Sequence, residues 1–166
     1  MTDAAKDIAF RRPVEADHPR LVGLVDEWWG GRRMRSLLPR LWLQHFSATS
    51  WIAERADGRV AGFLIGFISQ DHPDTAYVHM VATNPNGRRS GLGRELYERF
   101  ADDVQGRGVA RVKAVTWPGN RISVAFHTSI GFRIEEGPGT QRLYGTPAYA
   151  DYDGEGEDRV VFVRDL

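Results

Sequence analysis

The sequence TNPNGRRSGLG, from Thr83 to Gly93, decides how this chain is interpreted. It joins an apolar, strand-like run to an amphipathic, helix-like run that begins at Leu92. The first N–H groups of a helix have no partner within the helix, and the helix dipole makes that end positive. Glycines let the backbone approach a ligand closely, and arginines add charge-assisted contacts. The stretch is therefore typical of a cradle for a phosphate or pyrophosphate.

Other interpretations of the same stretch compete with the cradle. A solvated basic turn with ordinary capping glycines has the same composition. A Walker loop requires Gly-Lys-Ser/Thr at its end, whereas Arg94-Glu95 follows Gly93 here. A dinucleotide fingerprint requires a third small residue where Leu96 stands, together with a parallel βαβ start. The glycine spacing alone favours the solvated turn, so the rest of the chain has to decide.

Outward from this stretch, the hydrophobic spacing predicts alternating strands and helices. The segments 51–54, 60–69 and 76–83 form a predicted antiparallel meander with a hairpin at Asp57-Gly58. Two helices precede it, one around 21–29 and one around 34–42 with Ser36 as N-cap and Pro39 in its first turn. The remaining predicted elements are strands at 8–14, 109–117, 132–136 and 159–164, helices from 92 and at 120–130, and a loop at 137–158. The order β-α-α-β-β-β-α-β-α-β-β predicts a mixed α/β (α+β) fold, with a mostly antiparallel sheet flanked by helices.

Length and composition narrow the function classes. The 166 residues predict a single domain, 1–166, with a flexible N-terminus at 1–7. Because 22 basic and 22 acidic side chains balance, we expect neither nucleic acid nor a membrane as partner. The absence of cysteine excludes disulfides, thiolate metal sites and a cysteinyl intermediate, and we predict no metal. With no signal-like N-terminus and no apolar run long enough to span a bilayer, the expected location is the cytoplasm.

Three motifs in the same order and spacing resemble the GNAT superfamily of acyl-CoA-dependent N-acyltransferases. Arg88-x-x-Gly91-x-Gly93 resembles the pyrophosphate loop of that superfamily. Thr83-x-Pro85-x-x-Arg88 is similar to its lead-in, with Thr in place of Val. The run Asn120, Ala125, Phe126, His127 and Gly131-Phe132 resembles its downstream motif. The resemblance covers nearly all of the segment 8–166.

The resemblance implies acetyl-CoA as cofactor and a slot beside the strand that ends at Thr83. In this family that strand carries a bulge and splays from the next one. Val81 and Thr83 would then contact the pantetheine arm, and the N–H of Val81 or Ala82 would polarise the thioester carbonyl. The implied pyrophosphate ligands are Arg88, Arg89, Ser90, Gly91, Leu92, Gly93 and Arg94. Ser90 could also be an N-cap, and Asn120 is either a pantetheine contact, an N-cap, or both.

The resemblance implies acetyl transfer to a primary amine by direct attack in a ternary complex. The amine is mostly protonated at neutral pH, so a base is needed, and strand parity with Val81 and Thr83 favours His79. For the acid, His127 stands where the family usually has tyrosine, and it is either that acid or a residue that only lines the slot. Further base candidates, which could act through water, are Glu54, Asp71 and Tyr77.

The acceptor remains unidentified at this stage: a small-molecule amine is favoured over a protein or peptide. Trp29, Glu54 and Tyr77 are the predicted acceptor-site residues, with His45 and Arg32 also within reach. The tyrosine-bearing segment 137–158 is a lid, a dimer contact or a surface excursion, and the resemblance allows a homodimer. A non-catalytic acyl-CoA sensor is the alternative function, and the His127 departure favours it.

Overall fold

The computed structural model describes residues 7–166, so all of the predicted flexible segment except Asp7 lies outside the described residues. The helices are α1 His18–Trp28, α2 Leu41–His45, α3 Leu92–Gln105 and α4 Arg121–Ser129. The strands are β1 Ile8–Arg11, β2 Trp51–Arg55, β3 Val60–Ile68, β4 Thr75–Thr83, β5 Arg111–Thr116, β6 Arg133–Ile134, β7 Thr140–Leu143, β8 Thr146–Tyr149 and β9 Val160–Asp165.

Seven strands form one sheet in the order β1-β2-β3-β4-β5-β9-β6, and β7 pairs with β8 in a separate hairpin. Every pairing in the large sheet is antiparallel except that of β4 with β5. The predicted mixed fold is therefore confirmed, and the predicted order of elements agrees with the structure except for the additional β7–β8 hairpin. Within residues 7–166, no helix is both long and apolar enough to cross a bilayer.

The second predicted helix is much shorter than expected. A 3₁₀ turn at Arg35–Leu37 comes first, and α2 begins only at Leu41. Pro39 explains the break, because a proline disfavours helical angles in the residue before it, and Leu38 adopts φ −122° and ψ 60°. Ser36 lies inside the 3₁₀ turn and caps no α-helix.

The segment 137–158, predicted as a loop, contains the β7–β8 hairpin. Its turn is Tyr144-Gly145, and both residues have positive φ, 52° and 82°. That combination is typical of the two-residue type I′ turn, which matches the twist of its flanking strands. The glycine was the available signal, but the short strands around it are polar and gave no clear alternation.

Two hydrophobic clusters cover the two faces of the large sheet. On one face α3 and α4 pack through residues such as Leu96, Phe100 and Phe162. On the other face α1 and α2 pack through residues such as Leu21 and Phe63. The sheet separates a face that carries the start of α3 from a face that carries the α1–α2 connection.

Candidate active site

The parallel strands β4 and β5 pair only at their N-terminal ends. The paired residues are Thr75 with Arg111, Ala76 with Val112 and Tyr77 with Lys113. Beyond Tyr77, β4 continues to Thr83 and β5 to Thr116, without further pairing between these two strands. The strands therefore open into a fork, as the resemblance implied.

Hydrogen-bond alternation shows which backbone groups face this fork. The N–H of Asn84 donates to the carbonyl of Ala61 on the β3 side, 2.8 Å away. Because ladder hydrogen bonds alternate along an antiparallel pair, Ala82 also turns its N–H and C=O toward β3. Val81 and Thr83 turn theirs away from β3, into the fork. Of the two amides considered for the thioester carbonyl, only that of Val81 points into the slot.

A β-bulge at His79 reverses the parity of β4. Ile65 pairs with Met80 while the next residue, Gly66, pairs with Val78, so His79 is the extra residue. The expectation that His79 shares a face with Val81 and Thr83 is therefore wrong. Val81 packs on the α3 side of the sheet, whereas His79 stacks on Trp42 of α2 on the opposite side.

The turn between β4 and α3 leaves a row of backbone N–H groups unbonded. Arg88 N–H contacts the carbonyl of Pro85 at 3.5 Å, and Glu95 N–H donates to the carbonyl of Gly91 at 3.0 Å. Among residues 7–166, the intervening N–H groups, from Arg89 to Arg94, have no hydrogen-bond acceptor. Successive free N–H groups at a positive helix end fit a diphosphate, so the residues present suit coenzyme A.

Glycine is required in this turn for two different reasons. Gly91 is the N-cap of α3 with φ 81°, a left-handed angle, and an added Cβ would meet no atom within 4 Å. Gly93 lies against α4, where an added Cβ would be 3.1 Å from the Phe126 ring. Ser90, considered as a cap, is not the N-cap. Gly91 thus permits the left-handed angle at the start of α3, while Gly93 permits close packing of the two helices.

Two of the three arginine side chains in the loop bond to neighbouring helices, and within the described residues the third does not. Arg88 donates to the carbonyl of Trp28 at the end of α1, 3.1 Å away, and Arg94 donates to that of Ser129, 2.9 Å away. Both side chains therefore tie the loop to neighbouring helices. Arg89 has φ 70°, and its exposed side chain has no hydrogen bond or ion pair within the described part of the chain.

Asn120 lies at the start of α4, beyond the open end of β5. Its side-chain oxygen accepts the N–H of Ser123 at 3.1 Å, so it is the N-cap of α4. Contact with pantetheine stays a prediction.

His79 combines a fixed tautomer with a free nitrogen. Its Nε2 lies 2.6 Å from the carbonyl of Leu37, which can only accept, so Nε2 carries the proton. Nδ1 has no hydrogen bond to any residue from 7 to 166 and is left as an acceptor. Burial lowers the pKa of this imidazole, against a smaller opposing effect of the Leu37 carbonyl. His79 is therefore neutral at physiological pH, as a general base should be.

His127 is placed differently. It is 4% exposed and stacks on Phe162 with ring centroids 4.4 Å apart. Its Nδ1 donates to the carbonyl of Ser123 at 2.8 Å, and its Nε2 accepts from the Tyr97 hydroxyl at 2.7 Å. Both nitrogens are occupied, and burial lowers the pKa of the ring. This geometry does not fit an acid that reaches the slot; it fits a hydrogen-bonded core residue.

The three predicted acceptor-site residues have different surroundings. Tyr77 lies on the same face as His79, stacked on Phe67, and burial raises its pKa, so the phenol stays protonated at neutral pH and does not act as a base. Glu54 does not fit the role of base or acceptor ligand. It is held by Arg11 and Arg20, and the hydrogen bond from Arg11 is the main cause that lowers its pKa to about 2.

Trp29 caps the C-terminus of α1 and is half-buried against the α1–α2 core. The sequence interpretation missed the two contacts that define the His79 site, namely the Trp42 ring and the Leu37 carbonyl. Neither has a local signal, because both come from elsewhere in the chain. Within the described residues, no group of three or more His, Asp or Glu side chains could hold a metal ion.

Comparison with known proteins places this site in a family. A family model described as the acetyltransferase (GNAT) family matches residues 10–132. The L-2,4-diaminobutyric acid acetyltransferase of Streptomyces coelicolor is 30% identical over 167 aligned positions, covering 98% of this chain and 95% of that protein. The Nocardia farcinica enzyme of the same name is 32% identical over 111 residues, or 67% of this chain and only 57% of the length of that relative.

Solved structures share the fold. A diaminobutyrate acetyltransferase from Paenibacillus lautus, in complex with L-2,4-diaminobutyric acid and coenzyme A, superposes with a TM-score of 0.68 at 24% identity, over 95% of this chain and 93% of that one. A Salmonella typhimurium acetyltransferase solved with acetyl-CoA superposes with a TM-score of 0.70 at 18% identity, over 97% and 95%. With its forked sheet, its open row of amides and these matches, the chain belongs to the GNAT family of acetyltransferases, as its motifs predicted.

Proposed function

We propose that this protein transfers the acetyl group of acetyl-CoA to a primary amine of a small molecule that also carries a carboxylate, such as a diamino acid. The observation that carries the proposal is the fork between β4 and β5, because it joins two chemically distinct sites. On the α3 side lies the row of free N–H groups from Arg89 to Arg94. On the α2 side lies the neutral imidazole of His79.

The residues of the loop and of β4 would hold acetyl-CoA, which supplies an activated thioester when bound. The N–H groups from Arg89 to Arg94 would bind its diphosphate at the positive end of α3. The free backbone groups of Val81 and Thr83 would pair with the pantetheine arm in the fork. The Val81 N–H would stabilise the negative charge that develops on the thioester oxygen.

His79 would accept the proton of the acceptor ammonium. An alkylamine has a pKa near 10.4, so almost all of it is protonated at neutral pH. A neutral imidazole with a free Nδ1 can accept that proton as the amine attacks. The departing thiolate has a parent pKa of about 8.5 and needs less help than an alkoxide would.

The residues at the rim of the fork favour an acceptor that carries a carboxylate. Trp117, just after β5, and Tyr144, in the β7–β8 turn, have ring centroids 5.0 Å apart. The guanidinium of Arg32, from the α1–α2 connection, lies 5.8 Å from the Trp117 ring centroid. The side chain of Arg32 has no hydrogen bond or ion pair with any residue in the range 7–166. An exposed guanidinium without a carboxylate partner is suited to bind one from a ligand.

The relatives agree with this class of acceptor. The Streptomyces coelicolor relative, which aligns with 98% of this chain, and the Paenibacillus lautus structure, which covers 95% of it, are both named for diaminobutyrate. The ribosomal protein bS18-alanine N-acetyltransferase of Escherichia coli aligns in sequence over only 76 residues, 46% of this chain, while its solved structure covers 96% of this chain at 22% identity. The longer sequence match favours a diamino acid over a peptide as the acceptor.

A matched pair of acceptors tests the proposal. Release of free thiol from acetyl-CoA should be measured with L-2,4-diaminobutyrate and with 1,3-diaminopropane, the same diamine without its carboxylate. We expect a higher kcat/KM for the diamino acid. Arg32→Gln should raise its KM about tenfold, the loss of one charge-assisted contact, and leave that of 1,3-diaminopropane unchanged.

Arg133→Gln is the control variant for Arg32→Gln. Arg133→Gln removes an exposed arginine on the short strand β6 and should alter neither KM; the one ion pair of Arg133 within residues 7–166, with Asp165, is 3.8 Å long. Equal effects of Arg32→Gln on both acceptors would exclude carboxylate binding by Arg32. Tight CoA binding without thiol release from any amine, including peptides with N-terminal alanine, would favour the acyl-CoA sensor instead.

Location and assembly remain predictions. The proposed enzyme would work in the cytoplasm, an inference that rests on the sequence alone. A homodimer also stays a prediction, and sedimentation of the purified chain would test it.

A further inference from the structure

The α1–α2 connection, residues 29–40, is held by a carboxylate on α1. Asp26 accepts the N–H of Met34 at 2.7 Å and the N–H of Arg35 at 3.0 Å, both through Oδ1. Its Oδ2 accepts Nε of Arg35 at 2.8 Å. One carboxylate thus accepts from two N–H groups at the start of the Arg35–Leu37 turn, of which that of Met34 also contacts the carbonyl of Arg32 at 2.9 Å.

The other end of the same turn contacts the proposed base. The carbonyl of Leu37, the last residue of the turn, accepts the Nε2 proton of His79 at 2.6 Å. The next residue, Leu38, is fully buried, and its carbonyl bonds to His18 at 2.8 Å. The turn is therefore pinned to the core immediately after the atom that contacts the imidazole.

We propose that Asp26 is a positioning residue for His79, acting through the Arg35–Leu37 turn. Its carboxylate fixes the turn, the Leu37 carbonyl fixes the Nε2–H tautomer, and Nδ1 is thereby kept as the proton acceptor. This inference rests on the proposed role of His79 as the base. It assigns to a carboxylate on α1, which does not contact the ring, control over which nitrogen reacts.

The surroundings of His79 show why its hydrogen bond to the Leu37 carbonyl matters for the pKa of the ring. Trp42 stacks on one face of the ring, with centroids 4.1 Å apart and an interplanar angle of 13°. The causes that set the pKa of His79 are burial and the Leu37 carbonyl; no charged side chain within residues 7–166 is among them. If the turn loosens, the ring loses the one hydrogen bond that it makes within the described part of the chain, together with part of its burial.

The experiment compares pH profiles of kcat/KM for wild type, Asp26→Ala, Asp26→Asn and His79→Gln, with the proposed acceptor. In Asp26→Ala we expect kcat to fall about tenfold and the acidic limb to move up toward pH ~6.5, because a better hydrated imidazole protonates more readily. The KM for acetyl-CoA should not change. Asp26→Asn retains one oxygen for the two backbone N–H groups and should restore most of the lost kcat.

Asp57 offers a matched control, because it makes the same kinds of bonds elsewhere. Its Oδ1 accepts the N–H of Arg59 at 3.0 Å and its Oδ2 accepts Nε of Arg59 at 2.7 Å, in the β2–β3 hairpin. Asp57→Ala should leave the pH profile where it is. A profile for Asp26→Ala that superposes on the wild type, with unchanged kcat, would overturn the inference. An acidic limb that persists in His79→Gln would instead overturn His79 as the base.

Discussion

At the scale of single residues, the two histidines at the sheet differ in what their nitrogens can still do. His79 donates through Nε2 and keeps Nδ1 free, whereas His127 uses both nitrogens, with Ser123 and Tyr97. Only a ring with a free nitrogen can exchange a proton with a ligand without first breaking a bond in the core. We therefore propose a catalytic role for His79 and a packing role for His127.

Replacing His127 should affect stability more than turnover. In His127→Phe the buried Tyr97 hydroxyl loses its acceptor, and we expect unfolding free energy to fall by about 1–3 kcal/mol. The double variant Tyr97→Phe/His127→Phe removes both partners and should recover part of that loss. Denaturant unfolding measures the change in stability, and thiol release from acetyl-CoA measures the change in turnover. A variant that folds normally but has lost turnover would return the acid role to His127.

Both depressed imidazole pKa values have a consequence for acid stability. Burial keeps the folded-state pKa of His79 and His127 below the value of ~6.5 expected in the unfolded chain. The unfolded state therefore binds more protons below that pH, and stability must fall as the solution is acidified. The denaturant midpoint should be lower at pH 5.5 than at pH 7.5, with a smaller difference in His127→Phe. An equal denaturant midpoint at pH 5.5 and pH 7.5 would contradict the lowered pKa of the two histidines.

At the scale of elements, one extra residue in β4 changes which of its side chains face each side of the sheet. Before the bulge, Ala76 and Val78 face the α3 side; after it, Met80 and Ala82 face the α1 side. Because of the bulge, the His79 side chain faces the α1–α2 side while Val81 faces the α3 side. A regular strand with this sequence would hold His79 and Val81 on the same side of the sheet.

The β4–α3 turn can be tested with two glycines of the same conformation. Gly91 has φ 81° and Gly58, in the β2–β3 hairpin, has φ 79°, and neither would crowd an added Cβ. Valine at either position should cost similar stability, at least about 1–2 kcal/mol for a left-handed angle. Only Gly91→Val should weaken CoA binding, by tenfold or more, as measured by calorimetry. Equal CoA affinities in the two variants would refute the loop assignment.

At the scale of the whole molecule, the proposed function puts the cofactor residues on one face of the sheet and the acceptor residues on the other, with the fork between β4 and β5 as the opening that joins them. Arg88 strengthens this link, since its side chain, on the cofactor loop, bonds to the carbonyl of Trp28 at the end of α1. The connection that follows α1 carries Arg32 at the rim and Leu37 against the base. The two halves of the site are therefore held in one frame.

Much of this frame could be predicted from the sequence, and the exceptions have physical causes. Gly91, Gly93 and the order of elements indicated the cofactor loop, because helix starts and glycine turns are local features. The side to which His79 points could not be predicted, since one bulged residue reverses parity without changing the composition of the strand. The bonding of His127 depends on Tyr97, thirty positions away, and no spacing rule connects them.

The central claim is that the free N–H groups from Arg89 to Arg94 bind the diphosphate of coenzyme A. Backbone amide NMR of the full chain, titrated with CoA, tests it most directly. The account predicts large downfield shifts and slowed solvent exchange for these amide protons, with much smaller changes in the β2–β3 hairpin around Gly58. Saturable CoA binding that leaves the amides of this turn unshifted would contradict it.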